Sequence, residues 1–339
     1  MMALAELDTG RTAAAPAPLL SVRELSIDFV TRRGSVRALD RVSFEMAPGE
    51  VLGLVGESGA GKSLSGNAII GLIDPPGRIS GGEIHLEGQR IDNLAPAEMR
   101  RLRGRSLAAI FQDPLTSLDP LMRIGEQLTE TILTHLPMSR REARGRALEL
   151  LKAVGIPAPE LRIEHYPHQF SGGMRQRVVI ALALSAAPKL IIADEPTTAL
   201  DVSIQAQIIT LLKQMCREQG TAILLVTHDM GVIAETADRV AVMYAGRLIE
   251  VGPVEEVLRA PRHVYTAGLI GSIPSLTQRR ERLVQIDGAM PRPGAVPSGC
   301  PFAPRCPKRI DKCSERPELM AFGNSQAACW RAGEEHFYA

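Results

Sequence analysis

Aromatic residues are scarce in this chain. One Trp, four Tyr and seven Phe make up 4% of 339 residues. No run interleaves them with basic residues, which argues against a base-stacking surface and against nucleic acid as a partner. An excess of one charge is missing too: 39 basic residues stand against 38 acidic ones. Such totals offer no large electrostatic field for a nucleic acid or an anionic membrane. Long hydrophobic runs are also lacking. Crossing a bilayer takes roughly 20 consecutive apolar residues, and the longest apolar run here, Val178 to Ala193, is interrupted by Pro188 and Lys189. The first residues carry Glu6 and Asp8 and have neither a basic head nor a long apolar middle. They are expected to form a disordered leader over 1–19 and not a signal peptide. The chain is therefore expected to be soluble and cytoplasmic, with any membrane role coming through partners. No internal repeat is visible.

Hydrophobic residues are plentiful, at 45% of the chain, and support a core of ordinary size. From Leu20 to about residue 257 strand-like and helix-like segments alternate, the pattern of an α/β domain. Ser21–Phe29, Arg37–Met46 and Glu83–Leu86 read as antiparallel strands. Glu50–Val55, Leu107–Phe111, Leu190–Asp194 and Ala222–Thr227 read as buried strands. Residues from about 115 to 187 read as a helical insertion whose charges form a solvated face. After about Val257 the chain turns Pro-rich and irregular, and a C-terminal region is placed at 258–339.

Gly56-Glu57-Ser58-Gly59-Ala60-Gly61-Lys62-Ser63 follows an apolar strand and opens a helix. Glycines at this spacing let backbone N–H groups curl around a phosphate at the positive end of a helix dipole. Lys62 can reach the β- and γ-phosphates, and Ser63 can bind Mg²⁺. Leu190–Asp194 ends in a carboxylate and is followed by another. Asp194 is placed to hold Mg²⁺, and Glu195 to polarise an attacking water.

Phe170-Ser171-Gly172-Gly173-Met174-Arg175-Gln176-Arg177 resembles the signature motif of ABC ATPases. The rest of that family's set stands in order: Gln112 in FQDP resembles the Q-loop, Ala199-Leu200-Asp201 the D-loop, and His228 in THD the switch histidine. The resemblance implies a parallel-sheet core, an antiparallel β subdomain, a helical subdomain, and an ATP- and Mg²⁺-dependent ATPase. It further implies that Ser171, Gly172, Gly173 and Met174 meet the nucleotide held by an opposite subunit, so that ATP closes a dimer. Asp201 would couple the two sites. His228 would contact the γ-phosphate, and Gln112 would sense Mg²⁺. Where the family stacks adenine on an aromatic residue, this sequence offers Arg33 or Phe29.

The strings GLVGESGAGKS, IFQDPLTSLDP, YPHQFSGGMRQRV and ADEPTTALDVSIQAQI resemble the ATP-binding subunits of dipeptide and oligopeptide importers. That implies a sister ATPase, two transmembrane permease subunits and an extracytoplasmic substrate-binding protein. The cargo would be peptides, or alternatively nickel, glutathione or another small solute. A soluble ABC ATPase of translation or repair is disfavoured by the single phosphate loop and the lack of a long coiled coil. In the tail, PRHVYTAGLIGSIPSL resembles a segment of the same family, with Val264 in place of its usual proline. Cys300, Cys306, Cys313 and Cys329 are separated by five, six and fifteen residues. They resemble the region that carries a [4Fe–4S] cluster in peptide-importer ATPases. Four thiolates also suit tetrahedral zinc, or no metal at all. Cys216, alone in a helical stretch, is expected in the core.

Overall fold

The computed structural model describes residues 17–32, 34–114, 116–197, 202–272 and 285–334. The expected leader therefore lies almost wholly outside the described residues, as do Arg33 and Asp201.

In chain order the strands are β1 (Leu20–Thr31), β2 (Gly34–Met46), β3 (Val51–Val55), β4 (Gly77–Leu86), β5 (Gln89–Arg90), β6 (Leu107–Ile110), β7 (Leu190–Asp194), β8 (Ala222–Thr227), β9 (Arg239–Tyr244), β10 (Arg247–Pro253), β11 (Met320–Phe322) and β12 (Ser325–Ala327). Among the described residues they form a four-stranded sheet, ordered β2-β1-β4-β5, and an eight-stranded sheet, ordered β11-β12-β10-β9-β3-β8-β7-β6. The first is antiparallel. In the second, β9, β3, β8, β7 and β6 run parallel, and β10 turns back against β9.

Why β3 sits in the middle follows from its residues. Val-Leu-Gly-Leu-Val is apolar throughout and buried throughout, as a strand covered on both faces requires. Its side chains alternate between two cores: Val51 and Val55 face one, Leu52 and Leu54 the other. Each such side chain contributes roughly 1.5–3 kcal/mol relative to exposure.

The helices are α1 (Lys62–Ile69), α2 (Pro96–Leu102), α3 (Ile124–His135), α4 (Arg140–Ala153), α5 (Pro159–Arg162), α6 (Gly172–Leu184), α7 (Val202–Gln219), α8 (Met230–Thr236), α9 (Val254–Arg259) and α10 (Val264–Gly271). α3, α4 and α6 pack together through Leu128, Ile132, Ala147, Leu151, Val178 and Ala181, all buried in one core. α4 starts where its sequence provides a reciprocal cap. The Ser139 hydroxyl accepts the Glu142 N–H at 3.3 Å, and the Ser139 N–H donates to the Glu142 carboxylate at 2.7 Å. Such a cap is worth about 1 kcal/mol. Cys216 is buried in the core beneath α7, and its burial pushes the thiol up to about 12.

The C-terminal region is more regular than its proline content suggests. β12 pairs with β10 and so extends the central sheet, while β11 forms the sheet's last strand. α9 and α10 are short helices ahead of it. Among the described residues no helix is long and apolar enough to cross a membrane.

Candidate functional site

Four neighbouring parallel strands end at one edge of the central sheet. The register pairs Val55 with Thr227, Asp194 with Val226, and Ile110 with Ala193. The residues that leave those ends are therefore brought together: Gly56 after β3, Gln112 after β6, Glu195 after β7 and His228 after β8. Ligands of open parallel sheets bind beyond the carboxyl ends of the strands, and a cleft of about 880 Å³ lies there. Gly56, Glu57, Ser58, Gly59, Gly61, Lys62, Ser63, Gln112, Glu195 and His228 line it, with Phe29 and Ala38 of the antiparallel sheet. Phe29 is thus one of the two adenine-stacking candidates, while Arg33 falls outside the described residues.

The phosphate loop takes its shape from two glycines. Gly56 and Gly61 have φ of 151° and 103°, values that L side chains rarely adopt. A Cβ on Gly56 would stand 2.3 Å from the Met243 carbonyl oxygen, and one on Gly61 would stand 2.5 Å from Leu39. Gly61 is also the N-cap of α1 and supplies no side-chain cap. The N–H groups of the first helical turn are therefore left to a phosphate, at the positive end of the helix. Lys62 is buried, and its ammonium donates to the carbonyls of Gly56 at 2.8 Å and Glu57 at 3.0 Å. Burial holds its pKa below the usual lysine value, against the pull of Glu195, Asp194 and Glu57.

The carboxylates complete the site. The Ser63 hydroxyl donates to Asp194 at 2.9 Å. Burial raises the Asp194 pKa, and the charge of Glu195 adds to this, while Ser63 and Lys62 oppose it. A hydroxyl, a carboxylate and a nearby side-chain amide are hard oxygen donors that fit Mg²⁺, which normally takes only one or two protein carboxylates beside substrate phosphates. Glu195 has φ 46°, a left-handed conformation costing about 1–3 kcal/mol outside glycine and concentrated at functional sites. Its N–H donates to the Val226 carbonyl at 2.8 Å, and this turns the side chain into the cleft. There the carboxylate accepts from the Gln112 amide at 3.1 Å and meets the His228 Nδ1 at 2.9 Å. His228 owes its position to the next residue: Asp229 caps α8 by accepting the N–H groups of Gly231 and Val232.

Ser171, Gly172, Gly173 and Met174 do not line this cleft. Ser171 caps α6, accepting the Met174 N–H at 3.4 Å. Asp201 lies outside the described residues.

This geometry gives no support to the metal centre expected at the four tail cysteines. Among the described residues no three of His, Cys, Asp and Glu form a group that could hold a metal ion, and all five cysteines are free. The four belong to one neighbourhood: the Cys300 N–H donates to the Cys313 carbonyl at 3.0 Å, and the charge of Cys329 is sensitive to the other three. Burial raises the pKa of Cys300, Cys306 and Cys329, the last to about 11.

Residues that sequence reasoning passed over also shape the site. Leu269 and Pro293 reach the cleft from the C-terminal region. Tyr265 accepts the Glu57 N–H at 2.8 Å, and Arg305 pairs with the Glu57 carboxylate.

Comparison with known proteins agrees with this geometry. Residues 39–198 match the ABC transporter family, and residues 249–313 match the C-terminal region of oligopeptide/dipeptide transporters. The chain is 52% identical to the oligopeptide transport ATP-binding protein OppD of Bacillus subtilis over 316 residues, covering 92% of this chain and 88% of that protein. It is 46% identical to the dipeptide transport ATP-binding protein DppD of Haemophilus influenzae over 312 residues, 92% of this chain and 94% of that one. Among solved structures, the ATP-binding cassette MJ0796, a dimer in a post-hydrolysis state bound to ADP and Pi, is similar with a TM-score of 0.62. That match is 30% identical and covers 69% of this chain and 98% of the other. With the phosphate loop, Glu195 and His228 lining one cleft and Asp194 hydrogen-bonded to Ser63, the chain belongs to the ABC transporter family, among the ATP-binding subunits of its oligopeptide/dipeptide group.

Proposed function

We propose that this chain is the ATP-hydrolysing motor of an importer for dipeptides or oligopeptides, working as one half of an ATP-closed dimer. The observation that carries the reading is a separation. Lys62, Ser63, Gln112, Glu195 and His228 share the cleft, whereas Ser171, Gly172 and Gly173 sit apart from it at the head of α6. One chain therefore offers a loop for phosphates in one place and helix N–H groups for an anion in another. A second ATPase subunit would bring its own signature turn to the γ-phosphate.

Within the cleft, the phosphate-loop N–H groups and Lys62 would bind the phosphates, and Ser63 and Asp194 would hold Mg²⁺. Held by those two residues, it would supply positive charge against the negative charge that develops on the phosphates. Glu195 would accept a proton from the attacking water, with His228 and Gln112 fixing its two carboxylate oxygens in place. Phe29 would stack on the adenine, with Arg33 as the alternative, and Asp201 would couple the paired sites.

Docking to the permease is supported by an apolar groove of about 440 Å³ lined by Leu72, Phe111, Val179 and Leu182. Phe111 and Leu72 are 41% and 39% exposed there, and Gln112 follows Phe111 directly. A change at Gln112 would thus reach the groove through one peptide bond. The sister ATPase, two permease subunits and an extracytoplasmic binding protein complete the assembly, with this chain on the cytoplasmic face of the membrane.

The test is recovery of the tagged chain from its native membranes in mild detergent. Two multi-span proteins and a second ATPase should accompany it, and a peptide-loaded binding protein should stimulate its ATP hydrolysis. Recovery alone, or with ribosomes or DNA, would sink the transport reading.

A further inference from the structure

We propose that Arg305 is a positioning residue for nucleotide binding, through which the C-terminal region holds the phosphate loop in shape. The inference rests on reading Gly56–Ser63 as the nucleotide site.

Glu57, the second residue of that loop, is gripped at three points. Its N–H donates to the Tyr265 hydroxyl at 2.8 Å, its carbonyl accepts from Lys62 at 3.0 Å, and its carboxylate receives Arg305. The last contact is a two-pronged ion pair, Nη1 to Oε2 at 3.0 Å and Nη2 to Oε1 at 3.2 Å. Fork-to-fork pairing of this kind fixes direction as well as distance. Two of the three grips come from residues beyond 258.

The guanidinium has five N–H groups, and the geometry provides a partner for each. Besides Glu57, Nη1 reaches the Tyr244 hydroxyl at 3.4 Å, Nη2 the Ile286 carbonyl at 3.2 Å, and Nε the Asp287 carbonyl at 2.8 Å. The Arg305 side chain is only 7% exposed, and it lies against the rings of Tyr244 and Phe302. Those rings pack edge-on against each other and against Tyr265. One aromatic cluster therefore supports both the arginine that holds the Glu57 side chain and the tyrosine that holds its backbone.

The arrangement bears on affinity in two ways. It orders the loop before the nucleotide arrives, which lowers the entropic cost of binding. It also neutralises a carboxylate lining the cleft that must accept polyanionic phosphates; left unpaired, that charge would repel them. The second effect makes a signature that loss of packing alone does not produce: removing the carboxylate should compensate for removing the arginine.

The experiment is titration of the full-length chain with MgATP by calorimetry, together with steady-state ATPase kinetics and a thermal melt for each variant. Arg305→Met should raise the Kd and KM for ATP roughly tenfold, with kcat within about twofold of the parent. Arg305→Met combined with Glu57→Gln should recover most of that affinity. Arg305→Lys keeps the buried charge without the fork and should fall between; it carries the test if Arg305→Met melts or fails to fold. Parent-like affinity in both Arg305→Met and Arg305→Lys overturns the proposal, and so does failure of Glu57→Gln to compensate. If the parent chain itself does not bind MgATP, the reading of the loop as the nucleotide site fails first. If the parent binds and the variants bind equally well, only the role of Arg305 falls.

Discussion

Glu195 and His228 face each other across the cleft, carboxylate oxygen to Nδ1 at 2.9 Å. Gln112 occupies the other carboxylate oxygen, so the glutamate is aimed before any water arrives. A positioned general base contributes roughly 10²–10⁴-fold to rate. Glu195→Gln preserves the side chain's size while removing its basicity. Phosphate release should fall by about that factor, and ATP should stay bound, trapping a dimer visible by size-exclusion chromatography. Normal turnover in this variant would remove Glu195 as the base.

Lys62 differs, because its proposed role lies in binding as well as in the reaction. Its ammonium is already buried and hydrogen-bonded to two loop carbonyls. Lys62→Ala therefore withdraws a desolvated positive charge from the phosphates and leaves those carbonyls without their donor. A charged hydrogen bond lost in this way costs about 1.5–3 kcal/mol. ATP affinity should fall roughly ten- to a hundredfold, together with rate, as read by equilibrium binding. Unchanged affinity would confine Lys62 to the chemical step.

Ser171→Arg tests the proposed second anion site. The serine caps α6 with its hydroxyl, so its replacement costs about 1 kcal/mol of local stability and puts a long side chain in front of the helix N–H groups. Because this turn does not line the cleft, the isolated chain should bind ATP as before. Closure with the partner ATPase should be blocked, and transport with it. Transport that survives the substitution would contradict the sandwiched nucleotide.

How much of this was legible in the sequence depends on the range of the contact. The phosphate loop, the Asp194-Glu195 pair and His228 each follow an apolar strand, and their common location follows from four such strands being neighbours. Local pattern carried that far. The strand pair β9 and β10 escaped notice although both strands are nearly all buried. Three-residue strands such as β11 and β12 are too short to show a period. Arg305 and Glu57 stand 248 residues apart, and no periodicity encodes a polar contact at that distance.

A final prediction concerns the turn that presents Tyr265 to the phosphate loop. His263 is 1% exposed, and its Nδ1 accepts the Tyr265 N–H at 3.1 Å. Burial pushes its pKa from 6.5 down to about 3. The neighbouring Glu250 carboxylate accepts the N–H groups of Arg262 at 2.6 Å and His263 at 3.0 Å, while burial pushes its pKa from 4.5 up to about 7. The two groups act with opposite sign. A neutral buried histidine contributes stability that is present above about pH 6.5 and lost as the pH falls toward 3, because the unfolded chain takes up the proton first. A protonated buried glutamic acid contributes stability that is present below about pH 4.5 and lost as the pH rises through 7. Between those limits they largely offset each other, so the parent chain shows little net dependence from this pair. His263→Asn keeps an acceptor at the head of α10 and removes one of the two titrations. The parent's stability advantage over this variant, measured by urea unfolding, should therefore shrink by roughly 2–3 kcal/mol between pH 7 and pH 4.5. A gap that stays constant across that range would mean the buried imidazole is not what titrates, and the pH dependence of the turn would have to be sought in Glu250 alone.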